Sequence, residues 1–219
     1  MSNKRTIRVT GKGNIKVKPD ITRITITLEN LYPEYDETLK KSSESTEQIK
    51  DLVSNFGFER NDLKTLSFDV DTKYHSYREN DEYKERFIGY EFRHVMKVEF
   101  ESDNKLLGKI LYALANCSLH PEFRISYTVK DKEAAKNELL GKAVTDAKEK
   151  AVVLTKAADV ELKDILAMDY SWSKIDFEVS PVENVLCDCS VGCAPSYDLD
   201  IEPDDIDISD TVTIVWEIK

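Results

Sequence analysis

From Lys132 to Asp159, small and apolar residues recur at Ala135, Leu139, Ala143, Ala147, Ala151, Leu154 and Ala158. These steps of four and three predict one stripe of an α-helix. Alanine in the middle of the stripe lets the helix backbone lie close against a sheet or a neighbouring helix, where a longer side chain would overpack the contact. The other side is wet. Glu138 with Lys142 and Asp146 with Lys150 are acid-before-base pairs at the i,i+4 spacing, each contributing about 0.3 kcal/mol.

The N-terminal stretch from Thr6 to Leu31 predicts two strands around a glycine-containing turn at Gly11-Lys12-Gly13, the second with Ile24, Ile26 and Leu28 alternating against Thr25, Thr27 and Glu29. Pro33 ends the extension, and Asp36 is placed to cap a helix with Leu39, Ser42, Thr46, Ile49, Val53 and Phe56 inward and Gly57 just past its end. Leu63–Tyr77 and Tyr83–Glu101 then read as a long hairpin about Asn80-Asp81. Its second arm alternates Tyr90, Phe92, His94, Met96, Val98 and Phe100 against Glu91, Arg93, Lys97 and Glu99. Asp103 caps a short helix with Leu107, Ile110, Leu111 and Leu114 inward, and Pro121–Val129 returns as a strand. Beyond the alanine-striped helix, Leu162–Trp172 and Asp210–Ile218 read as strands. Residues 173–209, with Pro181, Pro195 and a dense acidic run, read as a loop.

One echo runs through the chain. LVSNFGFERNDLKTLSFDVDTKY and LTKAADVELKDILAMDYSWSK both pass from a helix end through a short turn and Leu-Lys into a strand. The order β-α-β-β-α-β-α-β-β predicts an α+β fold, a single domain over residues 1–219 with helices on one face of a largely antiparallel sheet.

Composition narrows the function classes. With 219 residues, 41% hydrophobic and 33% charged, the chain can bury a globular core. The formal net charge of -11 repels a phosphate backbone, and no Lys/Arg cluster offsets it, so nucleic acid is not an expected partner. No apolar run reaches the ~18 residues of a membrane helix, and no apolar segment follows the first basic residues as in a signal peptide. The expected location is the cytoplasm. Gly11-Lys12-Gly13 matches neither a Walker A loop nor a dinucleotide fingerprint.

The sharpest chemical motif is Cys187-Asp188-Cys189-Ser190-Val191-Gly192-Cys193. Thiolates this close can share a soft metal such as zinc, with Asp188, Asp198, Cys117 or a neighbouring subunit as the fourth ligand. Against this, structural zinc usually draws on two paired knuckles, and only one uneven triplet is present. The alternatives are a reduced exposed loop or a thiol-responsive one, although no flanking cation favours the thiolate and Asp188 disfavours it. Other groups have plainer readings. His94 falls on the apolar side of its strand, as a hydrogen-bonded core imidazole would. His75 lies near the hairpin tip among Tyr74, Tyr77 and Tyr83, and His120 sits in a turn before Pro121. Asp69 and Asp71 project together from one strand face, as a paired acid site or a solvated surface. The acidic run Asp198, Asp200, Glu202, Asp204, Asp205 and Asp207 lacks the glycine turn and terminal glutamate of an EF-hand.

Several stretches together resemble the SIMPL domain (DUF541) family, which includes YggE-like bacterial periplasmic stress proteins and a Brucella periplasmic immunogenic antigen. They are Ile7–Gly13 with Val17–Asp20, Asp62–Thr65 leading to Tyr74, Gly89-Tyr90, Ala143–Ala147 with Lys150-Ala151, and Ile201–Pro203 with Ile206–Ser209 before Val212-Thr213. The resemblance spans nearly the whole chain. It implies an α+β fold, homo-oligomers that tend to form rings, an association with envelope or oxidative stress in bacteria, and a signalling-adaptor role in animal relatives. It implies no catalytic residues. The cysteine-bearing segment is outside the family pattern. The expected function is a non-enzymatic, self-assembling scaffold or binding protein with homo-oligomeric and further protein partners, and the alternative is a metal-binding or thiol-responsive protein acting through Cys187, Cys189 and Cys193.

Overall fold

The computed structural model describes residues 5–79, 82–170, 175–180 and 201–219. In chain order the elements are β1 (Thr6–Val17), β2 (Ile21–Tyr32), α1 (Tyr35–Ser54), β3 (Lys64–Glu79), β4 (Glu82–Glu101), α2 (Asn104–Ala115), β5 (Glu122–Thr128), α3 (Lys132–Ala157), β6 (Leu162–Tyr170) and β7 (Ile206–Ile218). The α+β class holds. The seven strands are those read segment by segment, one more than the condensed order counts because β1 and β2 are separate strands, and there are two sheets, β1-β7-β6 and β3-β4-β2-β5, in place of one. Two compact units result. One gathers the described residues of Met1–Asp20, Thr128–Val179 and Pro203–Lys219, the other those of Ile21–Tyr127 and Ser180–Glu202.

In the first unit α3 lies on β1 and β7. Its stripe Ala135, Leu139, Ala143, Ala147 and Ala151 is buried, as the spacing predicts. The next buried position is Thr155 and not Leu154, which is 50% exposed, because the stripe keeps its i+4 step to the end. Opposite the alanines stand Gly11 and Gly13, and here the expected turn is corrected. Both glycines are mid-strand, paired with Val212 and Asp210, and the chain reverses instead after Val17. Space is the reason. A Cβ on Gly11 would lie 2.1 Å from the Ala143 carbonyl oxygen and 2.7 Å from the Ala147 Cβ, and one on Gly13 would lie 2.2 Å from the Leu139 oxygen. The strand side of this contact is therefore bare backbone and the helix side is cut back to alanine beside Gly11.

The wet side of α3 also helps hold β1. Asp146 pairs with Lys150 at 2.7 Å and accepts the Lys12 backbone N–H at 2.6 Å, while Glu138 pairs with Lys142 at 2.9 Å. At the reversal, the Asp20 carboxylate accepts the Lys130 N–H at 2.8 Å. β7 starts at Ile206, four residues earlier than expected, so the predicted loop is shorter at that end. Ile206 and Ile208 are buried while Asp207 and Ser209 are exposed, the alternation of a strand beneath an acidic composition. Phe177, also assigned to the loop, is buried with Ile15, Val129, Leu139, Ile206 and Ile208.

In the second unit, Ile24, Ile26 and Leu28 of β2 and Phe92, Met96 and Val98 of β4 form the core with Ile49 and Val53 of α1 and Leu107, Ile110 and Leu114 of α2. Asp103 caps α2 as predicted, accepting the Lys105 and Leu106 N–H groups at 2.9 and 3.1 Å. The α1 cap is Glu34, not Asp36, which lies in the first turn where a carboxylate still favours the helix dipole. The small polar residues on its inner face turn back onto the helix: Thr38 donates to the Glu34 carbonyl at 2.8 Å and Ser42 to the Leu39 carbonyl at 2.9 Å. Gly57, at φ +92°, provides the left-handed residue past the helix end.

Gly11→Ala inserts its methyl into the α3 backbone and lowers the unfolding free energy by about 3 kcal/mol, measured by urea denaturation. A loss below about 1 kcal/mol would show that helix and strand separate without penalty.

Candidate functional site

β3 and β4 are 16 and 20 residues long, well beyond the mode of about 5–6 for strands. β2 pairs β4 only from Tyr90 to Glu101, so the arms Lys73–Glu79 and Glu82–Gly89 project as a two-stranded ribbon. Gly89 marks where the ribbon leaves the body. It has φ +149°, and a Cβ there would lie 2.3 Å from the Tyr32 oxygen. The expected hairpin is present, with its tip residues Asn80 and Asp81 outside the described residues.

β3 is one of the two outermost strands of its sheet, β5 being the other. Phe68 pairs with His94, Val70 with Phe92, Thr72 with Tyr90 and Tyr74 with Phe87, so these residues share the helix-bearing face, whereas Asp69, Asp71, Lys73 and His75 share the open one. On the helix-bearing side Phe68 and Tyr74 are 43% and 55% exposed, and Leu66, the unpaired residue of the ladder offset between Thr65 and Ser67, is 53% exposed. An edge-to-face series runs from Tyr74 to Phe87 (5.7 Å), to Tyr90 (5.2 Å) and to Tyr35 on α1 (5.3 Å).

One polar cluster, built on the buried His94, ties this edge to the body. His94 sits between Thr46 of α1 and Thr65 of β3, 2.9 Å from each through Nδ1 and Nε2. Thr46 donates its own proton to the Ser42 carbonyl at 2.8 Å, so its oxygen accepts from Nδ1–H. Nε2 then accepts from Thr65. The ring is neutral, packs edge-on against Phe68 at 5.2 Å, and its pKa is lowered by burial and secondarily by the charge of Lys50. The core-histidine reading holds. Its two threonine partners carry no signal in the sequence beyond the inward position of Thr46.

The open face is a charge lattice. Arg23 and Lys97 hold Glu99 at 2.6 and 3.0 Å, Lys73 holds Glu91 at 2.6 Å, and Arg93 lies 3.6 Å from Glu29. Burial pushes the Glu99 carboxyl up, but the hydrogen bonds from Lys97 and Arg23 outweigh it and hold the group below its ordinary value. The Glu91 contact raises Lys73. Asp69 and Asp71 belong to this solvated face, across from Arg93 and Glu91.

The remaining candidates are dispersed. Cys187, Cys189 and Cys193, with Asp188 and Asp198, lie outside the described residues. Cys117, named as a fourth ligand, is partly buried against the second unit's core. Among the described residues no group of three or more His, Cys, Asp or Glu is placed to hold a metal. His120 is in a turn at φ +46°. Glu202, Asp204 and Asp205 are exposed, and Asp207 pairs with Lys16 in the β1–β7 ladder. In the first unit, a depression of about 730 Å³ along α3 is lined by Val144, Thr145, Lys148, Glu149, Val152 and Val153. Its one hydroxyl, Thr145, donates to the Gly141 carbonyl of the same helix at 2.9 Å. No described helix is long and apolar enough to cross a membrane.

Residues 7–216 match the family model SIMPL, "Protein of unknown function (DUF541)". No curated protein matches the chain.

The His94 cluster makes a signed pH prediction. Its folded pKa lies below the unfolded value, near 6.5, so the unfolded chain takes up the proton first as pH falls. The contribution is complete above about pH 6.5 and is lost progressively down to the folded pKa. His94→Gln should lower stability at pH 8 by about 1–3 kcal/mol, and the gap to the parent should narrow as pH falls from 8 to 5. A constant gap across urea titrations in that range would refute the assignment.

Proposed function

The chain belongs to the SIMPL family, and we propose that within it this protein is a non-enzymatic, self-assembling scaffold or binding protein, stress-associated like the bacterial proteins it resembles. The observation that carries this reading is the β3 edge. A long outermost strand presents unpaired backbone groups, and natural edges are usually shortened, bulged, covered or blocked by proline or inward charge. Neither β3 nor the projecting arm of β4 contains proline, and beside that edge Leu66, Phe68 and Tyr74 are each about half exposed. Such a surface favours pairing with another strand, and a closed homo-oligomer is the commonest arrangement that covers identical edges. The lattice of paired charges on the open face keeps the assembled sheet soluble on that side.

Purified, reduced protein should therefore sediment as an oligomer whose population rises with concentration from micromolar to millimolar. A monomer throughout that range in analytical ultracentrifugation would rule the self-assembly out.

A further inference from the structure

The order of charges along β3 is self-complementary. On its open face the strand reads Asp69, Asp71, Lys73, His75: acidic, then basic. Two copies of such a strand running antiparallel bring each acid opposite the partner's base. We propose that the partner of β3 is the β3 of a second copy, in a two-fold antiparallel pair centred on Thr72; this rests on the self-assembly reading above.

The register follows from arithmetic on the sequence. With Thr72 opposite its own copy, Asp71 faces Lys73 of the second chain, and Asp69 faces its His75. The two-fold axis repeats each pair, giving four acid–base contacts. On the other face Val70 meets Tyr74 twice, and Thr72 meets Thr72. Centring on Asp71 sets that carboxylate against its own copy. Centring on Lys73 sets two ammonium groups together, and centring on Val70 sets Asp69 against Asp71 twice. Centring between residues pairs the charged face of one strand with the aromatic face of the other. Only the Thr72 register pairs opposite charges without an opposed like pair among these four residues.

Three features of the isolated chain point the same way. First, the ladder offset near Lys73/Tyr74 takes its extra residue from β4, and the other lies between Thr65 and Ser67. From Ser67 to Glu79, β3 itself is continuous. Second, the residue directly opposite Asp71 within its own sheet is Glu91, so the ladder gives Asp71 no opposite charge across it, and a lysine from a second copy supplies one. Third, Phe68 and Tyr74 flank the centre on the helix-bearing face and are half exposed, where the second strand would cover them. The paired edges join two four-stranded sheets into one of eight, with both sets of helices on the same side.

The test is a charge reversal and its compensation, read by sedimentation equilibrium. Lys73→Glu places a carboxylate opposite each Asp71, and the dimer should dissociate at least about tenfold more readily. The double variant Asp71→Lys with Lys73→Asp restores opposite charges across the axis and should return to within about threefold of the parent. Within one chain this exchange leaves one acid and one base beside Glu91, as in the parent. Glu91→Gln removes the ion pair of Glu91 with Lys73 without touching the interface charges, and should leave the dimer within about threefold of the parent. Positions 71 and 73 are exposed, and circular dichroism checks that the variants fold. Amide exchange gives a further readout: residues 67–79 should become more protected as the parent is concentrated, and not in Lys73→Glu. An oligomer indifferent to Lys73→Glu, or weakened as much by Glu91→Gln, would overturn this interface and leave self-assembly standing. Weakening without recovery in the double variant would overturn the Thr72 register. A parent that stays monomeric would overturn both readings.

Discussion

The first unit depends on one close approach, that of α3 to β1. Gly11 and Gly13 leave no room for a side chain beneath the carbonyl oxygens of Ala143 and Leu139, and the alanines meet them from the helix side. Little apolar area is buried per residue by such small groups, so dispersion at short range and backbone complementarity must compensate for what Leu-on-Leu packing would give. The larger side chains Val9, Val212, Ile214 and Trp216 flank the contact, and Asp146 ties its border through the Lys12 N–H. Volume is thus distributed around the contact, leaving its centre thin. This also explains why a helix of weak one-sided hydrophobicity is nevertheless fixed in place: shape selects its position more than burial does.

The second unit solves the opposite problem with large residues. Two faces of one sheet are differentiated completely, one apolar beneath α1 and α2 and the other a lattice of alternating charge. His94, like Thr22, is a buried polar residue on the otherwise apolar face. Both ring nitrogens are satisfied, which avoids the penalty of an unmade buried hydrogen bond, and the two partners lie on different elements. A leucine in its place would pack but would not specify where α1 and β3 meet.

Much of this is legible from local pattern. The α3 stripe, both of its i,i+4 pairs and the two-faced β4 follow from periods of 3.6 and 2, the Asp103 cap from its side-chain type, and the long hairpin from two alternating runs about Asn80-Asp81, though not its projection from the sheet. What escapes has physical causes. Gly11 and Gly13 resemble a turn, because glycine marks both reversals and close approaches, and only the helix at Ala143 distinguishes them. The start of β7 is hidden by aspartates, Asp207 among them on its wet face. Two sheets replace one because β1 pairs with β7 across nearly the whole chain, a contact that no local window contains. The inward side of His94 is readable from β4 alone, but Thr65 becomes its partner only once β3 is known to lie alongside β4. The cysteine motif remains a property of sequence, outside the described residues.

The repeated helix-end, turn and Leu-Lys unit leads in both cases to an edge strand, β3 in one sheet and β6 in the other. Similar local sequence therefore produces the same topological role twice, yet the two edges differ in what they permit. The β6–β7 ladder is offset twice near its start, between Leu162 and Ile165 and between Ile165 and Ala167. Such irregularity twists a strand away from further pairing. β6 also exposes Ile165 and Met168, but only its last residues, Ala167–Tyr170, keep an uninterrupted register. β3 keeps register from Ser67 onward on its own side and carries an ordered series of charges. An edge is an interaction surface only if its backbone is regular enough to be matched and its side chains distinguish one register from another. β3 meets both conditions, and β6, for all its apolar side chains, fails the first.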